Sequence, residues 1–123
     1  MYIKNPQIQK NISIWLAYMF WIIAFMIIVG GLTRLTDSGL SITEWELFKG
    51  LLPPMNENSW NEYFEEYKKI PQYKLLNYDM SLQEFKIIFY WEYIHRIIAR
   101  IIGLFFWYLL FIFILLKKLI LII

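Results

Sequence analysis

The sequence predicts an all-α membrane protein: two transmembrane helices joined by a long outer loop with a short amphipathic helix, together forming part of a larger helical bundle. Three observations carry this expectation. The 123 residues are 59% hydrophobic and 20% aromatic, with a mean hydropathy of +0.47, more apolar than a soluble domain of this size usually is. The excess is gathered into two blocks, 12–32 and the stretch between Arg100 and Lys117, and neither contains a charged side chain. The sequence between the blocks is polar, carries prolines and holds most of the acids. Two spans bury little against each other, hence the larger bundle.

Residues 1–11 form a polar lead with Lys4 and Lys10. Residues 12–32 are the first span, about 21 residues or roughly 31 Å of helix, enough to cross a bilayer core. A signal peptide would have a shorter apolar core and an A-x-A-like cleavage site, so the segment reads as a retained span. Ala17, Ala24 and Gly31 recur at heptad spacing, a small-residue stripe that lets another helix approach. Gly30 and Gly31 are expected to end the span, and Asp37-Ser38-Gly39 to form a turn.

The outer loop covers 33–81. Leu51-Leu52-Pro53-Pro54 forces an extended or turned path. Near 58–70, Trp60, Tyr63, Phe64, Tyr67 and Ile70 recur at helical spacing, which predicts a short amphipathic helix ended by Pro71. Such an aromatic face packs on a membrane surface or on the protein itself more often than on a cofactor. Ser81-Leu82-Gln83-Glu84 is a capping box and starts a long helix, 82–123, that contains the second span. Phe89, Tyr90, Trp91 and Tyr93 form an aromatic belt at its outer end.

The loop carries most acids, whereas Lys4, Lys10, Lys117 and Lys118 lie at the far ends. The positive-inside rule then places both termini in the cytoplasm and the loop outside. His95 stands about 22 residues before Lys117, roughly 33 Å of helix, and so at the outer edge of the bilayer. A net charge of +2 with no basic stripe argues against nucleic acid. The absence of cysteine removes disulfides and thiolate ligands. No Arg- and Ser-rich leader precedes the first span, which favours a bacterial inner membrane over a mitochondrial one.

The only histidine, His95, marks the candidate site. On a helix, Glu92, His95, Arg96, Ala99 and Gly103 share one narrow face. An imidazole above small residues suits a flat, iron-bearing ring, and ionisable groups at the end of a span suggest a site. The competing reading is that they are headgroup-level anchors, and the site reading is preferred over it. His95 is a candidate axial ligand to haem iron. Arg96 and Arg100 offer guanidiniums to propionates, with Arg100 rotated about 80° from Glu92. Glu92, one turn before His95, can hydrogen-bond to it, to Arg96 or to a substrate. Arg34, just past the first apolar block, either pairs with an anion or anchors the helix at the surface. A single histidine leaves a second axial ligand to come from another segment or chain.

Gly30-Gly31-Leu32-Thr33-Arg34-Leu35-Thr36, Ser38-Gly39-Leu40-Ser41 and Trp45 lead into Leu52-Pro53-Pro54. Met80-Ser81-Leu82, Glu84-Phe85-Lys86, Ile88-Phe89 and Glu92-Tyr93-Ile94-His95-Arg96 follow in the same order. Over nearly the whole chain this resembles the amino-terminal part of haem A synthase, in the form found in mitochondria and their alphaproteobacterial relatives. That family is a membrane protein of eight spans in two similar four-helix halves, each with a pair of haem-ligating histidines. It oxidises a ring methyl of haem O to the formyl of haem A for cytochrome oxidase.

The resemblance implies haem O as substrate, with His95 as the iron's axial ligand and Glu92 as the catalytic glutamate. Arg96 and Arg34 are implied near the propionates. Haem b is expected as cofactor in the second half, beyond this chain. A complementary carboxy-terminal polypeptide, haem O synthase, cytochrome oxidase assembly partners and the lipid bilayer are the implied partners. Ala99 stands where the family usually has glycine, and the cysteine pair of some bacterial relatives is absent. Measured against the family, the chain stops after the second span, so it is expected to be inactive alone. The alternatives are a non-enzymatic two-span interaction or assembly protein, and a small haem-binding subunit in which two copies each supply His95.

Overall fold

In a computed structural model, the described residues are 5–44 and 51–122, with side chains described through Leu115. Lys4 and Trp45, and the side chains of Lys117 and Lys118, lie outside them. Among the described residues there are four helices and no strand: α1 (Pro6–Leu35), α2 (Glu57–Lys69), α3 (Pro71–Leu76) and α4 (Leu82–Ile122).

Asn5 caps α1, its Oδ1 accepting from Gln7 N at 2.9 Å, and Pro6 takes the first helical position, where no amide proton is required. The two glycines do not end this helix. It runs through Gly30 and Gly31 to Leu35, because a glycine within a helix costs only about 1 kcal/mol and the i→i−4 ladder continues on both sides. The actual stop is a Schellman motif. Ser38 N donates to Thr33 O at 3.0 Å and Asp37 N to Arg34 O at 3.2 Å, with Asp37 left-handed at φ 50.

Residues 28–97 form one compact unit, and 5–27 with 98–122 form another. In the first, α2 starts at Asn56, whose side chain accepts from Ser59 N at 2.7 Å. Trp60, Phe64 and Tyr67 lie at i, i+4 and i+7 and are buried against Phe85, Ile88 and Phe89 at the start of α4. Ile42 completes this core. The rings meet edge to face or tilted: Trp60–Phe89 and Phe64–Phe85 have centroids 5.0 Å apart, and Tyr67–Phe85 5.2 Å. Part of the expected aromatic belt is thus the protein's own core, with Phe89 buried and Tyr90 left exposed. Tyr67 is fully buried, and burial pushes its phenol above its ordinary value of 10.0, against the opposing hydrogen bond from Asn77 Nδ2 at 2.8 Å. Pro71 ends α2 as expected but also opens α3 at its first position, a short helix that the residue pattern did not reveal.

The capping box forms as expected. Ser81 N and Oγ each donate to Glu84 Oε2 at 2.8 Å, and Glu84 N donates to Ser81 Oγ at 3.3 Å.

In the second unit, Trp15 stacks on Phe106 at 6.2 Å. Ile8, Ile12, Leu109, Ile112 and Phe113 line a small apolar cleft beside them. Pro6–Leu35 and Leu82–Leu115 are long and apolar enough to cross a membrane, with 11% and 0% of their most apolar windows buried within the chain. These surfaces therefore face lipid or other helices.

Candidate functional site

The spacing of α4 explains why an acid is buried in its amino-terminal part. Phe85, Ile88, Phe89 and Glu92 fall at i, i+3, i+4 and i+7, so the face that carries the aromatic core also turns the Glu92 carboxylate inward, to 3% exposure. A buried carboxylate needs donors. They come from the strap that follows the Schellman turn. Ser38 is fully buried, and its carbonyl accepts from Ser41 N at 3.3 Å and from Ser41 Oγ at 2.9 Å, which closes a tight turn. That turn delivers two donors to Glu92 Oε2, the Ser41 hydroxyl at 2.7 Å and the Ile42 amide at 2.9 Å. Arg96 takes the other oxygen. Its Nε and Nη2 donate to Oε1 at 3.0 and 2.5 Å, and Nη2 also reaches Ile42 O at 3.3 Å.

Of the three partners open to Glu92 in the sequence, the structure selects Arg96 and adds the strap. The carboxylate makes no hydrogen bond to His95. Each of its oxygens already accepts two donors, so its hydrogen-bonding capacity is taken up by the strap and by Arg96. Ser41 and Ile42 were not foreseen as site residues. The available signal was the Ser38-Gly39-Leu40-Ser41 run, which carries the family resemblance but points to no contact with Glu92.

His95 is half-buried and makes no hydrogen bond among the described residues. Its Nε2 faces α1 at Gly30, where an added Cβ would lie 3.3 Å from Nε2 and 3.7 Å from Cδ2. Gly30 is thus a point of close approach, and this is the physical reason for a glycine in mid-helix. Arg34 is exposed, and no described residue meets its guanidinium by hydrogen bond or ion pair. The structure therefore joins Glu92 to Arg96 and His95 to Gly30, and leaves Arg34 apart from both.

These features define a class: a helical membrane protein that holds a buried ion pair and, one turn along the same helix, an imidazole with no hydrogen bond among the described residues. The family model described as cytochrome oxidase assembly protein (COX15-CtaA) matches residues 13–121, and the chain belongs to that family. It is 63% identical over 105 residues to the heme A synthase of Pelagibacter ubique, covering 85% of this chain and 31% of that relative. It is 52% identical over 111 residues to the heme A synthase of Nitrosospira multiformis, covering 90% and 31%. With that of Bradyrhizobium sp. ORS 278 it shares 52% over 103 residues, covering 80% and 28%. The chain thus spans about a third of the length of these relatives. No solved structure matches it.

Proposed function

We propose that the chain is the amino-terminal, substrate-binding portion of a haem A synthase, acting on haem O. The observation that carries this reading is His95, an imidazole that makes no hydrogen bond among the described residues and whose Nε2 rests against Gly30. Among the described residues no three His, Cys, Asp or Glu side chains gather as a bare metal ion would require. One imidazole suits an iron whose equatorial ligands come with its own ring. In this reading His95 is the axial ligand to substrate iron. Glu92, one turn earlier, supplies a fixed charge beside the reacting ring. Arg96, with a side chain 24% exposed, and the unpartnered Arg34 are the cations offered to propionates.

Turning a methyl into a formyl group withdraws four electrons. With water as the source of the formyl oxygen, four protons leave with them; haem b would take the electrons up, and we place it in a complementary carboxy-terminal portion rather than on residues of this chain. Haem O synthase is the expected source of substrate and cytochrome oxidase assembly the expected destination of product. The same reading sets the spans in a bacterial inner membrane, termini in the cytoplasm and the loop outside.

The test is an absorption titration of the purified chain in lipid nanodiscs with haem, using protohaem where haem O is scarce. The wild type should develop a ligated Soret band, and His95→Ala should lose it while keeping its helical content, since His95 makes no hydrogen bond among the described residues. A wild type without any haem signal, alone or with the carboxy-terminal portion of a relative present, overturns the reading.

A further inference from the structure

We propose that Ser41 is a positioning residue for Glu92, fixing the carboxylate one helical turn from His95. The inference rests on the reading of Glu92 as part of the reaction site. The Ser41 side chain is fully buried, and its single hydroxyl proton has three oxygens in reach: Glu92 Oε2 at 2.7 Å, Ser38 O at 2.9 Å and Ile88 O at 3.3 Å. The charged acceptor at the shortest distance takes it. Neither carbonyl is orphaned by that choice. Ser38 O keeps the Ser41 amide, and Ile88 O lies within the ladder of α4.

Ser41 and Arg96 do different things to the same carboxylate. Arg96 is on the same helix, and its long side chain can follow the carboxylate as it turns, so by itself it holds Oε1 without fixing where Oε2 points. Ser41 arrives from an independent element 51 residues away in sequence, on a turn closed by its own hydrogen bonds to Ser38. With Ile42 N on Oε2 and Arg96 on Oε1, the two oxygens are gripped from opposite sides and the carboxylate plane cannot rotate. That grip also keeps Glu92 from turning to His95, leaving the imidazole free for iron. Alanine at 41 removes the only side-chain donor on the strap side, and Arg96 would then draw the carboxylate toward itself.

Two variants separate positioning from mere stability. Ser41→Ala removes one of the two strap donors to Oε2 and leaves the Ile42 amide as the other. Ser38→Ala alters an equally buried serine of the same turn, whose hydroxyl meets only Thr36, at 2.5 Å to Oγ1 and 3.4 Å to O. Infrared spectra of the full chain in nanodiscs, with 13C-carboxyl glutamate and the Glu92 band assigned through Glu92→Gln, read the carboxylate directly. Ser41→Ala should shift that band and Ser38→Ala should not. With the chain co-expressed beside the carboxy-terminal portion of the Pelagibacter relative, Ser41→Ala should lower kcat for haem A formation about tenfold at unchanged KM, the scale expected of a sub-ångström misplacement. Ser38→Ala should stay within about twofold.

An unshifted Ser41→Ala band, equal shifts in both variants, or a shifted band with unchanged kcat each overturns the proposal. If the wild type makes no haem A with that complement, the functional reading fails separately, and the band comparison still decides whether Ser41 holds Glu92.

Discussion

Glu92→Gln tests the buried ion pair most directly, because it keeps the shape of the side chain and removes one acceptor oxygen with its charge. The amide has two orientations. With its nitrogen toward Arg96, the guanidinium loses both bonds at 2.5 and 3.0 Å. With its nitrogen toward the strap, the Ser41 hydroxyl turns to Ser38 O and accepts from the amide, and only the Ile42 N–H is left without an acceptor. The second arrangement strands one donor instead of a cation, and so it prevails. An unpaired buried amide costs about 1–3 kcal/mol, and a value of about 2 kcal/mol corresponds to roughly a thirtyfold change in a local opening equilibrium. Hydrogen exchange resolved at single amides reads this opening. In Glu92→Gln the Ile42 amide should exchange about thirtyfold faster, while Phe85 and Phe89 amides in the aromatic core change by less than about twofold. Unchanged exchange at Ile42 refutes the hydrogen-bond assignment, and equal acceleration in the core refutes the claim that the loss is local.

Three further perturbations follow from the same geometry. Gly30→Ala places a methyl 3.3 Å from His95 Nε2. The imidazole should shift by a few tenths of an ångström, so haem titration should show a weaker, displaced Soret response while thermal stability holds or rises by up to about 1 kcal/mol from helix propensity. A lowered melting temperature with an unaltered haem spectrum would contradict this. Asp37→Gly relieves a left-handed residue at φ 50 and should stabilise the chain by about 0.5–1 kcal/mol, read as a raised Tm. The backbone bond from Gln72 Nε2 to Asp37 O at 2.6 Å survives the change. Tyr67 holds its proton in the folded state beyond the 10.0 of an unfolded chain. Its contribution is intact below about pH 10 and is lost as pH climbs from there through the raised folded value. Tyr67 should therefore be among the last phenols to titrate by ultraviolet absorbance, and Tyr67→Phe should flatten the alkaline loss of stability.

What the sequence revealed and what it hid divide along local and non-local lines. The two apolar helices, the amphipathic α2 and the Ser81–Glu84 box were legible because each is a pattern within a few turns of one helix. Glu92, His95 and Arg96 were legible as a group because one helix face carries them. The role of Gly30 was not, since a glycine beside a second glycine at the end of an apolar run reads as a stop. Only the approach of His95 from α4 shows why a glycine stands there within a continuing helix. Ser41 was hidden for the same reason: nothing near it in sequence records that its hydroxyl meets a carboxylate 51 residues later. The short α3 escaped because Pro71 carries two opposite signals, ending one helix and suiting the first position of the next.

The aromatic core has a bearing on the order of events during synthesis. Every residue buried in it lies between Ile42 and Phe89, and the donors that close over Glu92 come from residues 41–96. Ribosomes add roughly 5–20 residues per second, and units fold as their sequence emerges. The compact 28–97 unit therefore has all its own contacts available once Ile97 has left the ribosome and the loop has reached its final side of the membrane. Anything translated later meets a surface already formed, with His95 against Gly30 and Glu92 already gripped. A defect at Ser41 or Gly30 would then be set as soon as this unit folds.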